Sequence, residues 1–209
     1  MARKEAGGKS SQQNDFLQPF APVNIVATNI GTNRAFDDGA ATVSFELPAG
    51  SPPATSFTVT ATAAGETTRT ATGATSPIIV GTLKSATTYT ISVTASNATG
   101  TSDPSATTTV AVTTVPATPS APSATPQVNQ DLVSWTAPAT GGTAITLYYW
   151  ESTDAKANTT TNTSVTVLQE GSTSQAYRVR AENANGLGEW SPYSPTIITT
   201  PPFFPPFFP

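Results

Sequence analysis

A segment centred on Tyr89 comes back around Tyr177, and a spacing of roughly ninety residues is the size of one β-sandwich. The first copy reads Leu83, Thr87, Tyr89, Ile91, Val93, Ala95, Asn97, Gly100, and the second answers with Tyr177, Val179, Ala181, Asn183, Gly186. Within each copy apolar residues alternate with polar ones, the period of a strand with one buried face. In Tyr89-Thr90-Ile91-Ser92-Val93-Thr94-Ala95 the outer face is hydroxyls, and in Tyr177-Arg178-Val179-Arg180-Ala181 it is arginines. The repeat therefore predicts two domains of one all-β kind.

Composition limits what such domains can do. The chain has 209 residues, enough for two modest domains, and 37% hydrophobic residues suffices for two thin cores. Charged residues make up 11% with a net charge of -4, so no basic surface is available to neutralise a phosphate backbone, and nucleic acid is not an expected partner. With neither cysteine nor histidine, the chain lacks disulfides, thiolate nucleophiles, the usual zinc ligands and the commonest general base. No acid–base pair or activated nucleophile stands out either, so the reading is not an enzyme, with no catalytic residue, no cofactor and no metal.

The amino terminus carries Arg3, Lys4 and Lys9, then the polar run Ser10 to Asn14, without the apolar region of a signal peptide. No stretch approaches the ~20 apolar residues that span a bilayer, so membrane insertion is not expected. Both observations suggest synthesis in the cytosol. The triplets at Asn97, Asn158 and Asn162 then read as chance products of a Thr-rich sequence rather than glycosylation sites.

Punctuation divides the chain. Residues 1–20 form a polar arm, residues 21–115 the first sandwich, residues 116–200 the second, and residues 201–209 a Pro-Phe tail. Prolines 116, 119, 122 and 126 mark the joint, where missing N–H donors block strand pairing. Turn residues at Asp37-Asp38-Gly39, Pro48 to Pro53, Gly65-Glu66 and Thr99-Gly100 separate short β-branched runs, and no window shows a helical period. Alternation places Val43, Phe45 and Leu47 inside the first core and Val133, Trp135 and Ala137 inside the second, with Tyr89 and Tyr177 as further core residues.

These residues resemble fibronectin type III domains over about residues 21–200. Leu83-Lys84-Ser85-Ala86-Thr87-Thr88-Tyr89 is similar to the family's tyrosine-corner segment, whose ring packs in the core while its hydroxyl ties down the preceding loop. Val133-Ser134-Trp135-Thr136-Ala137-Pro138 is similar to its second strand, and Phe45 stands where that strand's tryptophan would be in the first copy. The longer path from Leu168 to Tyr177 departs from the corner pattern. Arg34 to Phe45 and the Pro-Phe tail also resemble Thr-rich sandwich modules on virion proteins of tailed phages. That resemblance implies a head, neck or tail accessory role.

Several residues invite a site. Phe203, Phe204, Phe207 and Phe208 are set among prolines, whose extended helix gives the rings little mutual shelter, so they are expected to dock on another chain, the alternatives being a tail folded back to seal the second sandwich or inserted in a membrane. The amino-terminal arm reads by composition as a disordered tail, and if it is ordered on a neighbour, Phe16, Leu17 and Phe20 are its anchors. Trp190-Ser191-Pro192-Tyr193-Ser194, with Arg178 and Arg180 on one strand face, resembles the Trp-Ser box of cytokine-receptor sandwiches and suggests a surface ladder of guanidinium and indole groups. Asp37-Asp38-Gly39 reads as a turn, since calcium needs six to eight oxygens. Alternation sends at least one of Tyr148, Tyr149 and Trp150 inward, which favours packing over a sugar platform.

Together these readings predict a non-catalytic structural or accessory protein of a phage-like virion, assembled in the host cytoplasm. Its expected partners are other virion structural proteins, further copies of itself within the assembly, and in a lesser role a host-surface glycan. A spacer or adhesion module of a bacterial surface protein or polysaccharide-degrading enzyme is the alternative.

Overall fold

The computed structural model of the protein describes residues 17–202, and these form strands, turns and loops with no helix. The chain divides into two compact units: the first comprises residues up to Ile30 and Asp38–Val112, the second Gly31–Asp37 and residues from Thr113 onward. Both are β-sandwiches.

Unit 1 contains β1 (Val23–Ile30), β2 (Gly39–Glu46), β3 (Ser56–Thr62), β4 (Arg69–Gly73), β5 (Ile78–Leu83), β6 (Thr87–Asn97), β7 (Gly100–Thr101) and β8 (Thr108–Val112). One sheet runs β1-β2-β5; the other runs β4-β3-β6-β7, with β8 also paired to β6. All pairings are antiparallel. The register of β3 on β6 sets Val59 opposite Val93 and Ala61 opposite Ile91, so inward residues meet inward residues across the ladder. Val43, Phe45, Phe57, Val59, Val80, Leu83, Tyr89, Ile91 and Val93 fill the core, with Phe45 and Phe57 rings 4.8 Å apart and tilted by 49°. Phe45 thus fills the wedge position of unit 1, and Leu47 packs half-buried at its margin.

Unit 2 contains β9 (Ser123–Gln127), β10 (Gln130–Ser134), β11 (Ile145–Ser152), β12 (Ala157–Thr160), β13 (Ser164–Leu168), β14 (Ser174–Gln175), β15 (Tyr177–Asn183), β16 (Gly186–Leu187) and β17 (Ile197–Ile198). Its sheets run β13-β10-β9 and β12-β11-β15-β16, with β14 paired to β17. Trp135, Tyr148, Trp150, Val167, Tyr177 and Val179 form the core, and the Trp135 and Tyr148 rings meet edge to face at 5.5 Å. One expectation is corrected here. Ala137 is exposed, because β10 ends at Ser134 and the alternation stops with it. Trp135 keeps its buried place through a backbone bond to Thr163 O at 3.0 Å.

Candidate functional site

The two tyrosines that reveal the repeat are tied down differently. Tyr89 is 1% exposed, and its hydroxyl accepts the Lys84 N–H at 3.1 Å, which holds the turn five residues upstream. Tyr177 is fully buried and its hydroxyl donates to Asp131 Oδ2 at 2.6 Å, while Gln169 Nε2 donates to that hydroxyl at 2.8 Å. The longer path from Leu168 to Tyr177 supplies the reason: it brings in Gln169 as the donor to the hydroxyl where unit 1 uses a backbone N–H, and Gln175 as a further donor to Asp131.

Asp131 organises a buried polar cluster. It occupies an inward slot of β10, two residues before Val133, and accepts from Tyr177, from Thr199 Oγ1 at 3.0 Å, from Gln169 Nε2 at 3.4 Å and from Gln175 Nε2. Gln175 Nε2 also donates to Thr199 Oγ1 at 2.6 Å. A carboxyl group in a core is tolerable only with such partners, since each buried unsatisfied polar group costs about 1–3 kcal/mol. Burial first, and then the bond to Asp131, raise the pKa of the Tyr177 phenol. The cluster fastens the last strand, because Thr199 follows β17 directly. Asp131 is not among the residues singled out from the sequence; the one local signal for it is a polar residue two positions before the inward Val133.

Four serines form a second device, present in both units. In unit 1 the Ser102 N–H donates to Ala95 O at 2.8 Å, and the Ala95 N–H returns to Ser102 Oγ at 3.0 Å. Ser105 does the same with Val93, at 2.9 and 3.0 Å. In unit 2 Ser191 pairs so with Val179, at 2.8 and 3.0 Å, and Ser194 with Tyr177, at 2.7 and 3.0 Å. Each hydroxyl then donates to the carbonyl of the following residue. Side-chain oxygens thus replace ladder carbonyls along segments where prolines 104, 192 and 195 supply no N–H. The three-residue spacing of the serines matches the period of a polyproline-type helix rather than that of a strand.

Over the outer face of β15 the expected ladder is present. The order is Tyr193, Arg178, Trp190, Arg180, Tyr149: Arg178 lies 4.9 Å from the centres of both Tyr193 and Trp190, and Arg180 lies 4.6 Å from Trp190 and 5.3 Å from Tyr149. Glu151 closes one end on Arg178 at 2.5 Å, and Tyr149 donates its hydroxyl to Glu182 at 2.9 Å, the bond that chiefly raises the Tyr149 pKa. Beside it runs a groove of about 290 Å3 that Tyr149, Asn158, Arg180 and Trp190 help to line. Because the guanidinium groups already cover the aromatic faces, the ladder is built mainly to stiffen β15 and the Trp190–Ser194 segment. Tyr148 and Trp150 point into the core, leaving Tyr149 alone of the three on this face.

Of the expected docking residues, Leu17 and Phe20 are described. Their side chains are 53% and 49% exposed, while their backbones are held by Asn97 Nδ2 donating to Leu17 O at 2.9 Å and by the Phe20 N–H donating to Ser51 Oγ at 3.0 Å. Asn97 also donates to Pro53 O and accepts from Thr99 and Gly100, so its carboxamide is fully engaged. Phe16, Phe203, Phe204, Phe207 and Phe208 lie outside the described residues. Asp37-Asp38-Gly39 is a turn entering β2, and among the described residues no group of three or more acidic, histidine or cysteine side chains is placed to hold a metal.

Comparison with known proteins agrees with this geometry. Residues 21–111 match the fibronectin type III domain model. No curated protein matches the sequence. The FN1–FN3 domains of chicken CNTN1 are similar at TM-score 0.52 and 18% identity, covering 88% of this chain and 67% of that one. A structure of titin kinase and its flanking domains is 34% identical over 41% of this chain and 17% of that one, with TM-score 0.37. A myokine structure is 20% identical over 44% of this chain and 96% of that one, with TM-score 0.36. Residues 21–111 are thus similar to a fibronectin type III domain, and the fold of the chain is that of tandem fibronectin type III-like β-sandwiches.

Proposed function

We propose that this chain is a non-catalytic structural or accessory protein of a phage-like virion, which docks through its terminal segments and presents its sandwiches as scaffolds. Fibronectin type III domains are generally structural or adhesion modules. The observation that carries the docking reading is the pairing of a fastened backbone with outward apolar side chains at Leu17 and Phe20. A side chain that stays in water while its backbone is fixed loses conformational freedom with no burial in return, and a partner surface supplies that burial. The resemblance of Arg34 to Phe45 and of the Pro-Phe tail to virion modules supplies the particle.

An antibody against residues 21–200 tests the reading on particles and cells of the source. Labelling of purified virions by electron microscopy is the expected result. Labelling confined to the envelope of uninfected cells would instead favour the second reading, a spacer or adhesion module of a surface protein or polysaccharide-degrading enzyme. The groove beside Tyr149 and Asn158 favours that alternative, and within the first reading it is where a host-surface glycan would lie.

A further inference from the structure

We propose that Thr199 and Gln175 form an intramolecular ester, made by the folded chain itself with loss of ammonia and with Asp131 moving the proton. The reaction happens once per molecule and takes no outside substrate, so it goes beyond the scaffold reading without altering it. It is carried by three side chains that the fold buries together: Asp131 and Thr199 are 0% exposed and Gln175 is 1% exposed.

Strand pairing makes the meeting. Gln175 faces Ile197 and Ser174 faces Ile198 across β14 and β17, and the Thr199 N–H extends that ladder to Thr173 O at 3.0 Å. Gln175 and Thr199 are therefore diagonal neighbours, within reach of each other's side chains. The Thr199 hydroxyl donates to the Asp131 carboxylate, whose oxygens lie 3.0 and 3.2 Å away, and accepts from Gln175 Nε2 at 2.6 Å. The carboxamide carbon is one bond of ~1.3 Å beyond Nε2, so it lies within about 4 Å of the hydroxyl oxygen. Gln175 Oε1 has no hydrogen-bond partner, and the last torsion of a glutamine is soft, so nothing on the oxygen side resists the turn that presents the carbonyl face to Oγ1.

Asp131 touches both ends of the reaction. Its carboxylate accepts from the attacking hydroxyl and from the departing nitrogen, Gln175 Nε2, and the Tyr177 hydroxyl holds it in place at 2.6 Å. A hydroxyl, a base beside it and a group that orients the base are the parts that activate a weak nucleophile. Asp131 takes the Oγ1 proton as Oγ1 bonds to the Gln175 Cδ; the tetrahedral intermediate then expels Nε2, which receives that proton and leaves as ammonia. A C–O bond replaces a C–N bond, and no oxidant, water or cofactor enters. Holding both reactants in one site contributes up to about 7–11 kcal/mol toward the barrier, and the exclusion of water removes competing hydrolysis. Because Oε1 meets no donor, the developing oxyanion is unsupported, so the reaction is slow and conversion rises with incubation after folding.

Intact mass spectrometry of the full chain, fresh and after prolonged warm incubation, is the test. A species about 17 Da below the 21.4 kDa chain is expected to accumulate, with the proteolytic peptides that contain Gln175 and Thr199 recovered as one linked product that hydroxylamine separates. Thr199→Val and Asp131→Asn are expected to keep the full mass, and tryptophan-monitored melting checks that unit 2 remains folded in each. An unchanged mass of the unsubstituted chain after incubation overturns the ester, whatever the variants do. So does a loss of mass that survives Thr199→Val, or one that maps to Asn185-Gly186 as a succinimide. A linked product in Asp131→Asn overturns the carboxylate as the proton carrier.

Discussion

The Tyr177 hydroxyl donates to the buried carboxyl group of Asp131 at 2.6 Å, and through Asp131 the tyrosine is linked to Thr199 at the end of the sandwich. One carboxyl group thus holds together β10, β15 and the segment that follows β17. Asp131→Ala is expected to leave the Tyr177 and Thr199 hydroxyls without their acceptor and to destabilise unit 2 by at least about 2 kcal/mol, at ~1–3 per orphaned group. All three tryptophans, Trp135, Trp150 and Trp190, belong to unit 2, so tryptophan fluorescence in a denaturant titration reads this loss without interference from unit 1.

The raised Tyr177 pKa carries a pH signature. The folded state holds the phenol protonated beyond the unfolded value of about 10, so its contribution is fully present below pH ~10 and is lost as pH rises through the folded pKa. The midpoint of unit 2 unfolding is therefore expected to fall above pH 10, and less steeply in Tyr177→Phe. Parallel slopes for the two proteins would separate the phenol from alkaline unfolding.

The serine pairs should behave alike in both units. Ser105→Ala and Ser191→Ala each leave a buried strand N–H, of Val93 and Val179, without its acceptor, at a cost of about 1–3 kcal/mol. Amide hydrogen exchange is the direct check: faster exchange is expected at Val93 in the first variant and at Val179 in the second.

Trp190 and Arg178 offer a coupling measurement. A double-mutant cycle of Arg178→Ala and Trp190→Ala is expected to give about 0.5–1 kcal/mol for their stacking, small beside the core. Trp135→Ala, by contrast, removes the central wedge of unit 2 and is expected to cost ~3–5 kcal/mol.

The strands and cores were legible because alternation is a strong signal wherever one sheet face is buried. Tyr177-Arg178-Val179-Arg180-Ala181 is a strand with its arginines outward and stacked, and Tyr89 packs as the tyrosine corner its segment resembles. Ala137 was misplaced because alternation has no means of saying where a strand stops. Asp131 stayed hidden because its partners, Gln169, Gln175 and Thr199, lie at least 38 residues away and share no local pattern with it. The serine pairs stayed hidden for another reason. Their spacing of three belongs to neither the strand nor the helix period, and only the repeated Ser-Pro steps around Ser191 and Ser194 hint at it.

The central claim is that the sandwiches are scaffolds and that apolar residues at the chain ends make the attachment. Limited proteolysis of the free protein and of the same protein within its particle, with cleavage sites mapped by mass spectrometry, tests it most directly. Cleavage before Pro19 and after Thr200 in the free protein, with protection of both regions in the particle, is the expected result. Equal cleavage of both ends in the two states, with protection confined to the sandwich faces, would contradict it.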